Sequence, residues 1–130
     1  MNIYAKLPNG KKVRHGALVK DDFVRTIDSS YIRWSDEAFT VNSSVLPTLK
    51  EHGCKKLVFI YMGASSQVTY EVLLEKALAV GTMKTNEHGE ENLRIPMKAC
   101  KVVGEVNYKE VEKIFSDPVE DNSPKQSNLF

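Results

Sequence analysis

The stretch KKLVFIYM, Lys55 to Met62, decides the fold. From Leu57 onward every residue is apolar or aromatic, and the types are those that fit a pleated surface. A strand with one wet face alternates polar and apolar side chains, whereas one that is apolar on both faces belongs inside a sheet covered on both sides. KKLVFIYM is therefore expected to be a central strand, and the rest of the chain has two faces to cover.

Working outward, GASSQ (63–67) reads as a turn, and VTYEVLLEKALAVG (68–81) begins as a strand and ends as a helix. Leu74, Ala77 and Leu78 stand at helical spacing, with Gly81 as the stop. On the other side, SSVLPTLKEHG (43–53) reads as a helix capped by Ser43 or Ser44, since Pro47 is tolerated only in a first turn. Val45, Leu46 and Leu49 then share a face, and Gly53 ends the helix. Residues 84–92, KTNEHGEEN, read as a polar loop. NLRIPMKACKVV (92–103) follows as one interrupted strand or a pair, broken at Pro96. Asn107 and Glu110 have the spacing of a capping box, with Tyr108, Val111 and Phe115 on one side of the helix it starts.

Near the beginning, Asn9-Gly10 signals a two-residue hairpin turn between strands near 2–7 and 11–19. Val24, Ile27, Ile32 and Trp34 suggest two further extended pieces around a turn at 28–30. Strands and helices mix without a regular βαβ rhythm, so the expected class is α+β, a small mostly antiparallel sheet with two or three short helices and a flexible C-terminal tail. The expected organisation is a single domain over 1–115 and a tail over 116–130, because SDPVEDNSPKQSNLF is too polar to build a core.

The longest apolar run is far short of the roughly 20 residues a membrane helix needs, and MNIYAKLPNG contains no apolar leader segment. A cytoplasmic protein with no membrane partner is expected. Cys54 and Cys100 fit buried reduced thiols better than a disulfide framework. His52 and Cys54 lack the further ligands a metal site needs, so neither a metal nor a cofactor is expected. Net charge is +1, but residues 1–56 hold ten Lys/Arg against six Asp/Glu, while 57–130 hold eight against eleven. Residues 1–20 carry Lys6, Lys11, Lys12, Arg14 and Lys20 and no acid. These five are the candidate nucleic-acid-binding residues, because a one-sided basic surface suits an anionic partner. Strand alternation puts Lys12 and Arg14 on one face. Tyr31, Arg33 and Trp34 can add stacking.

The last five residues, QSNLF, leave Leu129 and Phe130 apolar at the end of a polar segment. This ending resembles the short peptide by which bacterial DNA polymerases, repair factors and some phage or plasmid proteins dock onto the sliding clamp. The resemblance covers five residues of 130. It implies that Gln126 hydrogen-bonds in a small polar subsite while Leu129 and Phe130 fill an apolar pocket. Ser127 departs from the pattern, whose second position is more often apolar, and this implies a weaker binder. The resemblance thus implies a clamp-tethered accessory protein of DNA metabolism, with DNA as a second candidate partner for the basic hairpin.

Two other classes compete. A metal-dependent nuclease needs converging carboxylates, for which Asp21, Asp22, Asp28, Asp36, Glu37 and Glu71 are available. Glu71 is the best placed for an inward position, with a solvent-facing edge strand as its ordinary setting. No Asp or Glu stands two residues before a Lys, no phosphate-binding loop or nucleophile elbow occurs, and no catalytic residue is assigned. A phage or plasmid adaptor or inhibitor that binds a host protein without touching DNA is the other alternative.

Overall fold

The computed structural model describes residues 1–6, 10–28, 37–63 and 66–115. In chain order its elements are β1 (Asn2–Lys6), β2 (Lys12–Val19), β3 (Asp22–Asp28), β4 (Ala38–Asn42), α1 (Leu46–Glu51), β5 (Lys56–Met62) and β6 (Gln67–Leu73). These are followed by α2 (Leu74–Val80), β7 (Thr82–Thr85), β8 (Glu91–Pro96), β9 (Lys101–Val106) and α3 (Tyr108–Phe115). Two sheets result, one of six strands in the order β1-β2-β3-β5-β6-β9 and one of three in the order β4-β8-β7. Every ladder is antiparallel except β3 with β5, which run parallel from Asp22 opposite Lys56 to Asp28 opposite Met62. A parallel pair needs a crossover, and here the connection passes through β4 and α1. The class is α+β, as expected.

The central position of KKLVFIYM is confirmed, because β5 lies between β3 and β6 and both its faces are covered. Leu57 and Phe59 point into the main core with Phe23, Phe39, Leu49 and Ile95, between the two sheets and beneath α1 and α2. Ile60 points the other way, with Val24 against Val111 of α3. At the centre of the main core the Phe39 and Phe59 rings stack at 4.6 Å, and Tyr70 tilts against Phe39 at 5.2 Å.

Local chemistry explains the helix ends. The side-chain oxygen of Asn42, rather than Ser43 or Ser44, caps the first turn by accepting from the Ser44 amide at 2.9 Å. Both serines already lie within a 3-10 turn (Ser43–Val45) that leads into α1, so the cap falls one residue earlier than expected. Gly53, at φ +69°, ends α1 with its amide on the Lys50 carbonyl and the Cys54 amide on that of Leu49. Asn107 caps α3 as expected, its side-chain oxygen accepting from the Glu110 amide at 2.9 Å, while the Glu110 carboxylate accepts from the Asn107 side-chain amide at 3.1 Å rather than from its backbone N–H. Gly81 does stop α2, but from extended backbone. A β-carbon there would lie 2.7 Å from the Ala77 carbonyl oxygen and from the Leu93 side chain, so the small residue serves close packing.

Several expectations change. β4 was not visible in the sequence, although all five of its residues are buried. The polar stretch 84–92 is the tip of a hairpin rather than a loop throughout, because β7 and β8 pair from Thr82 opposite Arg94 to Thr85 opposite Glu91. Asn86 organises the tip, its side-chain oxygen accepting from the amides of His88 and Glu90, each at 2.9 Å. The break at Pro96 yields a pair of strands in different sheets, β8 and β9. The first hairpin pairs as far as Lys6 opposite Lys12, and the turn expected at Asn9-Gly10 bears on residues 7–9, which lie outside the described residues. Ile32, Trp34 and the turn at 28–30 bear on residues 29–36, which lie outside the described residues.

β2 and β3, by contrast, are joined by only Lys20 and Asp21, with Val19 opposite Asp22. Lys20 sits at φ +58°, a region where a β-carbon costs about 1–2 kcal/mol. Lys20→Gly is therefore expected to stabilise the fold by about 0.5–1 kcal/mol after the extra unfolded-state entropy of glycine is subtracted. Urea denaturation reads this directly, and a loss of stability would refute the strained turn.

Candidate nucleic-acid face and adjoining cleft

Register decides which of the basic side chains act together. Lys6 stands directly opposite Lys12, and Tyr4 opposite Arg14. Tyr4 and Lys6 are two apart on one strand, so all four side chains share a face of the hairpin. It is the face to which α3 packs, since the Arg14 Nη1 donates to the carbonyl of Phe115 at the end of that helix. Tyr4, Lys6, Lys12 and Arg14 are all exposed. Neither Lys6 nor Lys12 has an ion-pair partner among the described residues. Like charges directly opposite on a ladder repel, so this pair weakens the hairpin unless an anion lies across it. Lys11 is exposed at the same end of the hairpin. Lys20 is not part of this group: it lies beyond the other end of β2, roughly 25 Å from Lys12 at the rise of a strand.

A cleft adjoins this face. The β1–β2 ladder steps from Ile3 opposite Gly16 to Tyr4 opposite Arg14, leaving His15 as the extra residue of a bulge. Gly16 allows the step, because a β-carbon there would lie 2.4 Å from the Phe23 ring. Beyond Ala17 opposite Val24 no further β2–β3 pair forms, and Arg25 bridges the gap by donating from Nη1 to the His15 carbonyl at 3.1 Å. The resulting cleft of about 420 Å³ lies between these strands and α3. Its polar lining comes from Arg14, His15, Arg25, Thr26 and Glu112, and its apolar lining from Met62, Val111, Phe115 and the exposed ring of Tyr108.

Burial holds the His15 imidazole below its ordinary value, the Arg25 guanidinium adds to the depression, and Glu90 partly opposes it. The ring is thus neutral at pH 7, and the fixed positive charge of the cleft comes from the two arginines. His15, Arg25, Thr26 and Tyr108 do not stand out as site residues in the sequence. One signal was present: a glycine after VRH within a strand suggests a bulge.

The remaining candidates are dispersed. Glu71 is not on an edge strand as expected: β6 lies between β5 and β9, and the carboxylate sits 3.1 Å from the Lys56 ammonium. Among the described residues no three of His, Cys, Asp and Glu stand close enough together to hold a metal ion. Cys54 and Cys100 are free thiols. Burial raises both, Cys100 to about 11, so neither is a thiolate at neutral pH. No helix among the described residues is long and apolar enough to cross a membrane.

Gln126, Leu129 and Phe130 lie outside the described residues, as do Tyr31, Arg33 and Trp34. Compared with protein-family models, with curated proteins and with solved structures, the chain shows no significant match to any of them.

Proposed function

We propose that this protein is a small accessory factor of DNA metabolism that rests the basic face of its β1–β2 hairpin on phosphates and docks onto the sliding clamp through Gln126, Leu129 and Phe130. One observation carries the DNA-binding half: Lys6 and Lys12 face each other across the ladder, with Arg14 next in line on the same face. An arrangement that costs stability in isolation gains it beside a polyanion, where each neutralised phosphate releases a counterion. Arg14, anchored at the end of α3, adds a donor of fixed position. The clamp-docking half rests on the terminal peptide QSNLF.

The test is duplex binding across a salt series. Replacing Lys6 and Lys12 by Ser removes two phosphate contacts, so the slope of log K against log salt should flatten by about 2 and affinity near 0.1 M salt should fall roughly tenfold or more. The same exchange removes the cross-strand repulsion, so the free protein should become no less stable. Unchanged duplex binding would return these lysines to ordinary solvated surface.

A further inference from the structure

The cleft beside the bulge is built for more than phosphate. A phosphate needs charge and hydrogen-bond donors, whereas this cleft combines two guanidinium groups with apolar lining from Met62, Val111 and Phe115. Its volume of about 420 Å³ falls in the range of small-molecule sites and exceeds what a bare anion fills. Tyr108 in its lining is 56 % exposed, an aromatic ring on the first residue of α3 with the Asn107 cap fixing the helix start beside it. Arg14 belongs both to this cleft and to the hairpin face that carries Lys6 and Lys12, so the two adjoin.

We propose that the cleft receives one unstacked nucleotide of a single strand, its base against Tyr108 and the apolar lining, and its phosphate between Arg14 and Arg25. This rests on the hairpin reading above and specifies its ligand as single-stranded rather than duplex DNA. A base inside a duplex cannot enter without being flipped at a cost, while a single strand offers its bases freely. Glu112, the acid lining the cleft, can accept a hydrogen bond from a base edge.

The experiment uses the full chain with fluorescent dT12 and with a duplex of equal length, alongside Tyr108→Ala and Tyr108→Trp. The unaltered chain should prefer dT12. Tyr108→Ala should weaken dT12 about tenfold and duplex binding less than twofold, with Tyr108→Trp restoring the difference. Because Tyr108 is exposed, the exchange leaves the core intact. Deoxythymidine monophosphate alone should shift the amide resonances of Gly16, Thr26 and Val111. If Tyr108→Ala changes both ligands equally or neither, or if the mononucleotide leaves those amides unmoved, the cleft inference is overturned while hairpin binding to duplex stands. If the unaltered chain binds neither DNA, the hairpin reading itself fails, and the cleft inference with it.

Discussion

A chain ending at Lys125 is expected to give no measurable heat with a purified bacterial sliding clamp under conditions where the full chain binds at micromolar strength. Burying Leu129 and Phe130 supplies roughly 1.5–3 kcal/mol each, and a hydrogen-bonded Gln126 amide about 1 kcal/mol. Losing even the lower sum costs more than a hundredfold in affinity. Micromolar binding corresponds to roughly 8 kcal/mol, so backbone contacts by the peptide must supply part of it, against the cost of ordering the segment. Ser127→Leu, which restores an apolar second position, should tighten binding. Equal heats from the full and shortened chains would remove the clamp from the account and leave the DNA-binding face to stand alone.

The second large effect concerns the core. Phe39→Ala should destabilise the protein by about 4 kcal/mol, the middle of the range for deleting a buried aromatic side chain. Phe39 has no exposed surface and lies between the sheets, stacked on Phe59 of one and touched by Tyr70. Its loss leaves a void lined by two other aromatic rings and forfeits their mutual contacts as well as the transfer energy. For a domain whose whole stability is of order 5–15 kcal/mol, this leaves a marginal fold. Urea denaturation followed by circular dichroism measures it, with Val102→Ala as the comparison, since Val102 is 57 % exposed and should cost under about 0.5 kcal/mol. A loss below about 1.5 kcal/mol for Phe39→Ala would contradict a core closed between the two sheets.

Helix boundaries were largely legible in the residues themselves. The stop at Gly53, the box from Asn107 to Glu110 and the buried trio Val45, Leu46 and Leu49 all came out as the sequence suggests. Helices satisfy their backbone groups within a few residues, so the signals for their ends are local. The five-residue β4 behaves differently. AFTVN is too short to show a period, and the strand it pairs with, β8, begins only at Glu91. The same holds for β7, whose residues are exposed and whose second half, Lys84 and Thr85, reads as polar loop until Glu91 to Arg94 is brought beside it.

The candidate site divides along the same line. Composition alone marks the first twenty residues as basic and acid-free, and alternation alone puts Lys12 with Arg14. Only pairing shows that Lys6 faces Lys12 and that Lys20 stands apart at the opposite turn. The cleft is wholly a product of tertiary structure. It exists because the Phe23 ring occupies the space a side chain at position 16 would need, because His15 is the surplus residue in its ladder, and because α3 crosses back to meet Arg14. The last of these joins residues 101 apart in the chain. The sequence by itself determined the central strand, the helix ends and the sign of the charge at the N-terminal end, since propensity, capping and composition act over a few neighbouring residues. The pairing of the strands, the division into two sheets and the cleft were decided only when distant segments had to satisfy one another's hydrogen bonds and fill one another's space.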